Sequence, residues 1–251
     1  MSEYIKKNQQ TIDRWIEEGW QWGKPLSHEL FLKAKQGDYS IFLTPTISVP
    51  KSWLGSLKGK KVLGLASGGG QQGPILTALG ADVTIIDFSE KQISSEKQVA
   101  QREKYNIEAI QGDITERLPF EDETFDLVFH PVSNVYIEKV QPIWEEAVRI
   151  LKPNGELLAG LDNGINYIVD FNEEKIVNKL PFNPLKNPQH MQQVESEQSG
   201  FQFSHTIEEQ IGGQLKAGLT LLDIYQDTNG MGRLHELNIP SYWATRTVKN
   251  G

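Results

Sequence analysis

Lys61–Phe88 reads KVLGLASGGGQQGPILTALGADVTIIDF, and this stretch decides the fold. Val62 to Leu65 is an apolar run of strand length, and Ala66 to Gly70 is a turn of small residues. Gln72 to about Leu79 has helical character, and a second apolar strand ends at Asp87. A glycine turn between a strand and a helix lets a ligand approach the backbone and places N–H groups beneath it. An acid about 20 residues further on, at the next strand tip, is placed for the two hydroxyls of a ribose. The unit therefore reads as a site for an adenosine-type cofactor. Gly68-Gly69-Gly70-Gln71-Gln72-Gly73 also satisfies G-x-G-x-x-G, but three adjacent glycines satisfy many patterns.

Downstream, the chain alternates. Ser89-Glu90-Lys91-Gln92 has capping-box spacing and opens a helix running to about Tyr105. IEAIQ leads to Gly112-Asp113, and FDLVFH is a buried strand ending at His130. Val140, Ile143, Trp144, Ala147, Val148 and Leu151 mark a helix with one core-facing stripe. Lys152-Pro153-Asn154-Gly155 reads as a tight turn before the strand ELLAGL. Asn163 to Ser204 is polar and weakly periodic, an insertion outside the sheet with a short helix expected near Glu173 to Asn178. Thr206 to Glu209 is a second capping box, opening a helix whose Ile207, Ile211 and Leu215 share a face. LTLLDIYQD and SYWATRTVK close the chain as paired strands without an intervening helix. This order predicts a doubly wound, Rossmann-like, mostly parallel seven-stranded sheet with an antiparallel C-terminal strand.

Before the first strand, Ile5, Ile12, Trp15 and Ile16 share a helical face, with Gly19 as its stop. A short helix from about Ser27 to Lys35 and an extended connector follow. Residues 1–55 are read as a helical lid or brace, and residues 56–251 as the main domain with the insertion at about 163–204.

Composition narrows the function. The formal charge of −8 argues against a general affinity for nucleic acid, which needs a basic footprint. No apolar run is long enough to span a membrane. Cysteine is absent, which removes disulfides, thiolate metal sites and cysteine nucleophiles together. The five histidines show no metal-binding spacing, so no metal is expected. MSEYIKKNQQ lacks the apolar core of a secretion signal, and a cytoplasmic protein is expected.

The glycine turn, the acid at the second strand tip, Gly112-Asp113 at the third, LPF-x4-FDLVF, RILKPNG and the terminal strand pair together resemble the class I S-adenosylmethionine-dependent methyltransferases. The resemblance covers about Lys61 to Lys249. It implies S-adenosylmethionine as cofactor, with Ala66, Ser67, Gly68, Gly69 and Gly70 at its methionine part. Asp87 and Phe88 would then hold the ribose, and Gly112, Asp113 and Ile114 the adenine. The family's loop starts with an acid two residues before its first glycine, and those positions are Gly64 and Ala66 here. The orienting contact is therefore expected from His130, Ser133 or the N-terminal segment.

His130, Ser133, Asn134 and Tyr136 follow the fourth strand, where ligands sit in open parallel sheets. His130 and Tyr136 are the catalytic candidates, although His130 also reads as a satisfied strand-end residue. Trp15, Trp22, His28 and His205 are candidates for a lid or substrate contact, with plain packing as the alternative for the tryptophans. His190 and His235 read as surface residues. The expected reaction is methyl transfer to a small molecule. An NAD(P)-dependent oxidoreductase and a non-catalytic cofactor-binding protein are the competing readings. The first is opposed by the terminal strands and the lack of a Tyr-x-x-x-Lys pair, and the second is supported only by the altered turn.

Overall fold

The computed structural model describes residues 2–251. Helix α1 (Glu3–Glu17), a turn of 3-10 helix, α2 (His28–Lys35) and α3 (Lys51–Leu54) precede the sheet. The sheet unit then runs β1 (Lys61–Leu65), α4 (Gln72–Ala78), β2 (Asp82–Asp87), α5 (Glu90–Glu103), β3 (Glu108–Gln111), β4 (Phe125–His130), α6 (Gln141–Ile150) and β5 (Leu151–Asp162). Helix α7 (Pro188–Glu197) lies in the insertion, followed by α8 (Ile207–Lys216), β6 (Leu219–Asp227), α9 (Gly232–Glu236) and β7 (Tyr242–Lys249).

The seven strands are ordered β3-β2-β1-β4-β5-β7-β6, and only β7 runs antiparallel to its neighbours. The order reverses between β1 and β4, where a crevice opens beyond the strand tips. VLGL and FDLVF are buried along nearly their whole length because helices cover both faces. One apolar layer joins Ile75, Leu76, Ile85 and Phe129 to Ile41, Leu43, Val49 and Trp53 of the connector, so the N-terminal segment shares the sheet's core. The other layer packs Ile143, Trp144, Ala147 and Ile150 of α6 beneath Leu63, Val128 and Leu157. No helix among the described residues is long and apolar enough to cross a membrane.

Several local expectations change. Lys152 to Gly155 does not precede β5 but bulges within it: Phe125 pairs with Leu151 while Leu127 pairs with Glu156. Ser89 caps α5 by accepting from the Gln92 N–H at 3.1 Å, but the Ser89 N–H goes to Asp87, so that box is half made. The Thr206–Glu209 box is complete. The buried face of α8 is polar: Gln210, Gly213 and Gln214 face inward, whereas Ile207 and Leu215 are about half exposed. Trp144 explains this, because a Cβ at Gly213 would lie 2.6 Å from its indole, and the indole N–H donates to Glu209 O. No helix forms over Glu173 to Asn178; a Val169–Ile176 bridge closes a small hairpin there. The insertion's helix is α7, which starts from an Asn187 cap followed by Pro188. A short helix, α9, sits between the last two strands.

Candidate active site

A cavity of about 460 Å³ opens beyond the tips of β1, β2, β4 and β5. Three covering pieces enclose it: α1 with the Trp20–Trp22 turn, the connector at Phe42 to Pro45, and the insertion. The lid turn is stapled to the glycine loop, since Gln71 Nε2 donates to the carbonyls of Gln21 and Lys24, and the Leu26 N–H donates to Gly70 O.

The loop presents Ala66, Ser67 and Gly68 to the cavity. Ala66 takes the left-handed conformation at φ +48°, where glycine is the unstrained residue. Contrary to the simple cradle expected of this turn, its N–H groups point inward. Gly68 donates to Asp87 Oδ2, Gly69 to Gln92 O and Gly70 to Glu96 Oε1. Gly69 and Gly70 therefore shape the loop from behind rather than line the cavity. Both have positive φ and lie against α5.

Asp87 and Phe88 line the cavity at the tip of β2. Burial raises the Asp87 carboxyl to about 6, opposed by N–H donors from Ser89 and Gly68. Gly112, Asp113 and Ile114 stand outside the lining; Asp113 Oδ1 accepts from the N–H and hydroxyl of Thr115, and Ile114 is buried in the core. A side chain at Gly64 would press on the sheet core, since a Cβ there would lie 2.3 Å from Ile85 Cδ1.

Of the residues after β4, Ser133 and Tyr136 line the cavity, and the Ser133 hydroxyl is buried without a partner. His130 does not reach the cavity. It is fully buried, its Nδ1–H donates to Leu65 O at 2.8 Å, and its Nε2 meets the Asn134 side chain at 2.8 Å. Burial holds its pKa below the ordinary value, and with both ring nitrogens engaged it bridges β1 and β4 without a free nitrogen for general-base work. Trp22 lines the cavity; Trp15 sits behind it, 5.5 Å from the Trp20 ring. His28 is on the outer surface against Glu103, and His205 is buried with Nε2–H donating to Asn134 O. His190, expected at the surface, is buried and stacks on Phe182 at 4.3 Å.

Sequence reading missed Asp162, Asn166, Tyr167 and Tyr242 as cavity residues. Asp162 ends β5 and pairs in register with Tyr242 of β7. Its carboxyl accepts from the Gly164 N–H and Asn166 Nδ2, and burial pushes it up to about 7. The strand-tip rule that selected His130 also points to the last residue of β5, one position beyond the ELLAGL read as the strand.

Residues 63–159 match the Methyltransferase domain family. The chain is 38% identical over 256 residues to an uncharacterized methyltransferase, YbaJ, of Bacillus subtilis, covering 99% of this chain and 100% of that one. Its fold is similar to an S-adenosylmethionine-dependent methyltransferase from Mesorhizobium loti, with TM-score 0.65, 14% identity, and 79% and 95% of the two chains covered. It is also similar to the magnesium protoporphyrin IX methyltransferase of Synechocystis with bound S-adenosylhomocysteine, with TM-score 0.55, 14% identity and 79% of each chain covered. The residues present fit this cofactor: a buried Asp87 carboxylate suits a ribose, the Ser67 hydroxyl is buried without a partner, and Trp20 and Trp22 offer aromatic faces to a sulfonium. The 38% identity along the full length of a methyltransferase makes the chain a member of the methyltransferase family, with the fold of the S-adenosylmethionine-dependent methyltransferases.

Proposed function

We propose that the methyl acceptor is a small molecule held inside the cavity. The observation that carries this reading is enclosure: strand tips form the floor, while α1, the connector and the insertion cover about 460 Å³ of space. That is the size range of small-ligand sites and is too confined for a folded macromolecular surface. The charge of −8 and the acidic lining also disfavour a polyanionic acceptor.

S-adenosylmethionine supplies a methyl group that is already activated on a sulfonium. What remains for the protein is alignment and the exclusion of water. Asp87 and the Ala66–Gly68 face fix one end of the site, and Tyr136, Asp162, Tyr167 and Tyr242 form the other. Tyr136 is the candidate that stays in contact with this space, and burial raises its phenol pKa, so the group is a neutral hydroxyl at physiological pH.

Incubating the protein with methyl-labelled S-adenosylmethionine and a cell extract, then separating by size, tests the reading. Label in the low-molecular-weight fraction is expected. Label confined to protein or nucleic acid would refute it.

A further inference from the structure

We propose that the acceptor is an amine, seated against Asp162 and methylated on nitrogen. The proposal rests on the methyl-transfer reading above and names its substrate class.

Charge is the first ground. Among the residues lining the cavity are Asp87, Asp162, Asp170, Glu173 and Glu197, and none is Lys, Arg or His. Asp87 belongs to the ribose end, which leaves four carboxylates on the acceptor side. No lining cation is present to pair with a carboxylate or phosphate on the substrate, whose burial there would be unfavourable.

Unmatched hydrogen-bond acceptors are the second ground. Asn166 Nδ2 donates to Asp162 Oδ2, and Asn229 Nδ2 donates to Glu173 Oε1, which fixes the orientation of both amides. The Asn229 Oδ1 is buried without a partner, while the Asn166 side chain also meets the Tyr242 hydroxyl. Ser133, a residue of the cavity wall that is 9% exposed, likewise has a buried hydroxyl without a partner. A ligand with N–H donors satisfies the amide oxygen, and an oxyanion does not; the Ser133 hydroxyl can serve either.

Position is the third. Asp162 lies within electrostatic reach of Tyr167 and Tyr242, and the rings of Tyr136, Tyr167 and Tyr242 line the same end of the cavity. Aromatic faces beside a carboxylate suit an organic cation. All four acceptor-side carboxyls accept hydrogen bonds from the protein, and Asp162 is the one that sits at a strand tip, where chemistry is placed.

The balance is simple. The bound ammonium first gives a proton to the Asp162 carboxylate, which frees the nitrogen lone pair. That pair forms the new N–CH3 bond while the S–CH3 bond breaks, its electron pair remaining on sulfur as a neutral thioether; the product leaves as the methylated ammonium, and the proton on Asp162 passes to water. With its carboxyl raised to about 7, Asp162 can take and return that proton near neutrality.

Full-length protein saturated with S-adenosylhomocysteine is titrated calorimetrically with phenethylamine, 3-phenylpropionate and 2-phenylethanol, which share a shape and differ in charge. Phenethylamine is expected to bind at least roughly tenfold tighter than the other two. Asp162→Asn and Asn229→Leu, on separate elements, are each expected to lower phenethylamine affinity while leaving S-adenosylhomocysteine affinity unchanged. Equal or tighter binding of the acid or alcohol, no binding of phenethylamine, or wild-type amine affinity in both variants would overturn the proposal alone. Failure of the wild-type protein to bind S-adenosylhomocysteine would instead remove the methyl-transfer reading, and this proposal with it.

Discussion

Glu96, fully buried on α5, accepts a hydrogen bond from the Gly70 N–H at 2.7 Å and so holds the glycine turn from behind. Its second oxygen has no partner and faces Gly73, where a Cβ would lie 2.6 Å away. Burial pushes this carboxyl up to about 8, and it is protonated at neutral pH. Glu96→Gln keeps the accepting oxygen and should retain wild-type cofactor affinity. Glu96→Ala leaves the Gly70 donor unpaired and should cost about 2 kcal/mol of stability together with weaker binding. Because the folded pKa lies above the unfolded value of 4.5, the stabilisation is present below 4.5 and is lost as pH rises towards about 8. Urea denaturation across that window should show stability falling with pH, less steeply in Glu96→Gln. A slope unchanged by the substitution would contradict this account.

Asp87 serves both loop and ligand. Its two oxygens accept from Gly68 and Ser89 at 3.0 and 2.9 Å while its carboxylate faces the cavity. Asp87→Ala should weaken S-adenosylhomocysteine binding by roughly tenfold to a hundredfold, the value of one or two charge-assisted hydrogen bonds. Isothermal titration would read it directly, and wild-type affinity would contradict the ribose assignment.

His130 is expected to matter for folding and not for proton transfer. Both ring nitrogens are occupied and the side chain is inaccessible. His130→Ala should lower stability by about 2–3 kcal/mol through the unpaired Leu65 and Asn134 groups and the space left behind. The shape of the pH–rate profile should not change. Loss of a titrating limb in the variant would restore His130 as a base.

Ala66 occupies a backbone position that favours glycine, at φ +48°. Ala66→Gly removes about 1 kcal/mol of left-handed strain but enlarges unfolded-state freedom by a comparable amount. The net change in thermal midpoint should therefore be within a few degrees of zero, whereas Ala66→Val, branched at Cβ in the same conformation, should be clearly destabilising.

The sheet was legible because its signals are local. FDLVFH is the strand Phe125–His130, and Ser27 and Thr206 cap their helices through neighbouring N–H groups. What stayed hidden depended on distant partners. The inward face of α8 is polar because Gln210 and Gln214 meet Asn134 and Thr245 across the fold, and amphipathic periodicity favoured Ile207 and Leu215 instead. Glu145 and Arg149 have helix-pair spacing, yet Arg149 turns to Glu146 and Asp122 and to the carbonyls of Phe120 and Leu118. For the site, Asp87 and Tyr136 were legible as strand-tip residues. Asp162 was missed because the strand read as ELLAGL stops one residue short of it, and His130 points into the sheet although it too ends a strand.

Asn8 ties the N-terminal helix to the insertion. Its side chain is 1% exposed, its Oδ1 accepts from the Phe201 N–H at 2.6 Å, and its Nδ2 donates to the carbonyls of Phe201 and Tyr136 at 2.9 and 3.1 Å. Tyr4 packs edge-on to Phe203 at 5.4 Å, and Arg14 donates to Gln198 O, so the same helix face grips both ends of the segment that leads back from α7. Asn8→Ala strands three buried backbone groups and should cost about 2–3 kcal/mol, roughly 4–10 °C in thermal midpoint for a domain of this size. Asn8→Asp keeps the acceptor for Phe201 but sets a carboxylate against two carbonyls, and should be at least as damaging. Because the insertion roofs the cavity, both variants should be cut faster by protease within residues 163–204, and excess S-adenosylhomocysteine should slow the cutting only in so far as it stabilises the closed form. Wild-type resistance in both would mean that the roof is held by its own hairpin and helix, without the N-terminal clasp.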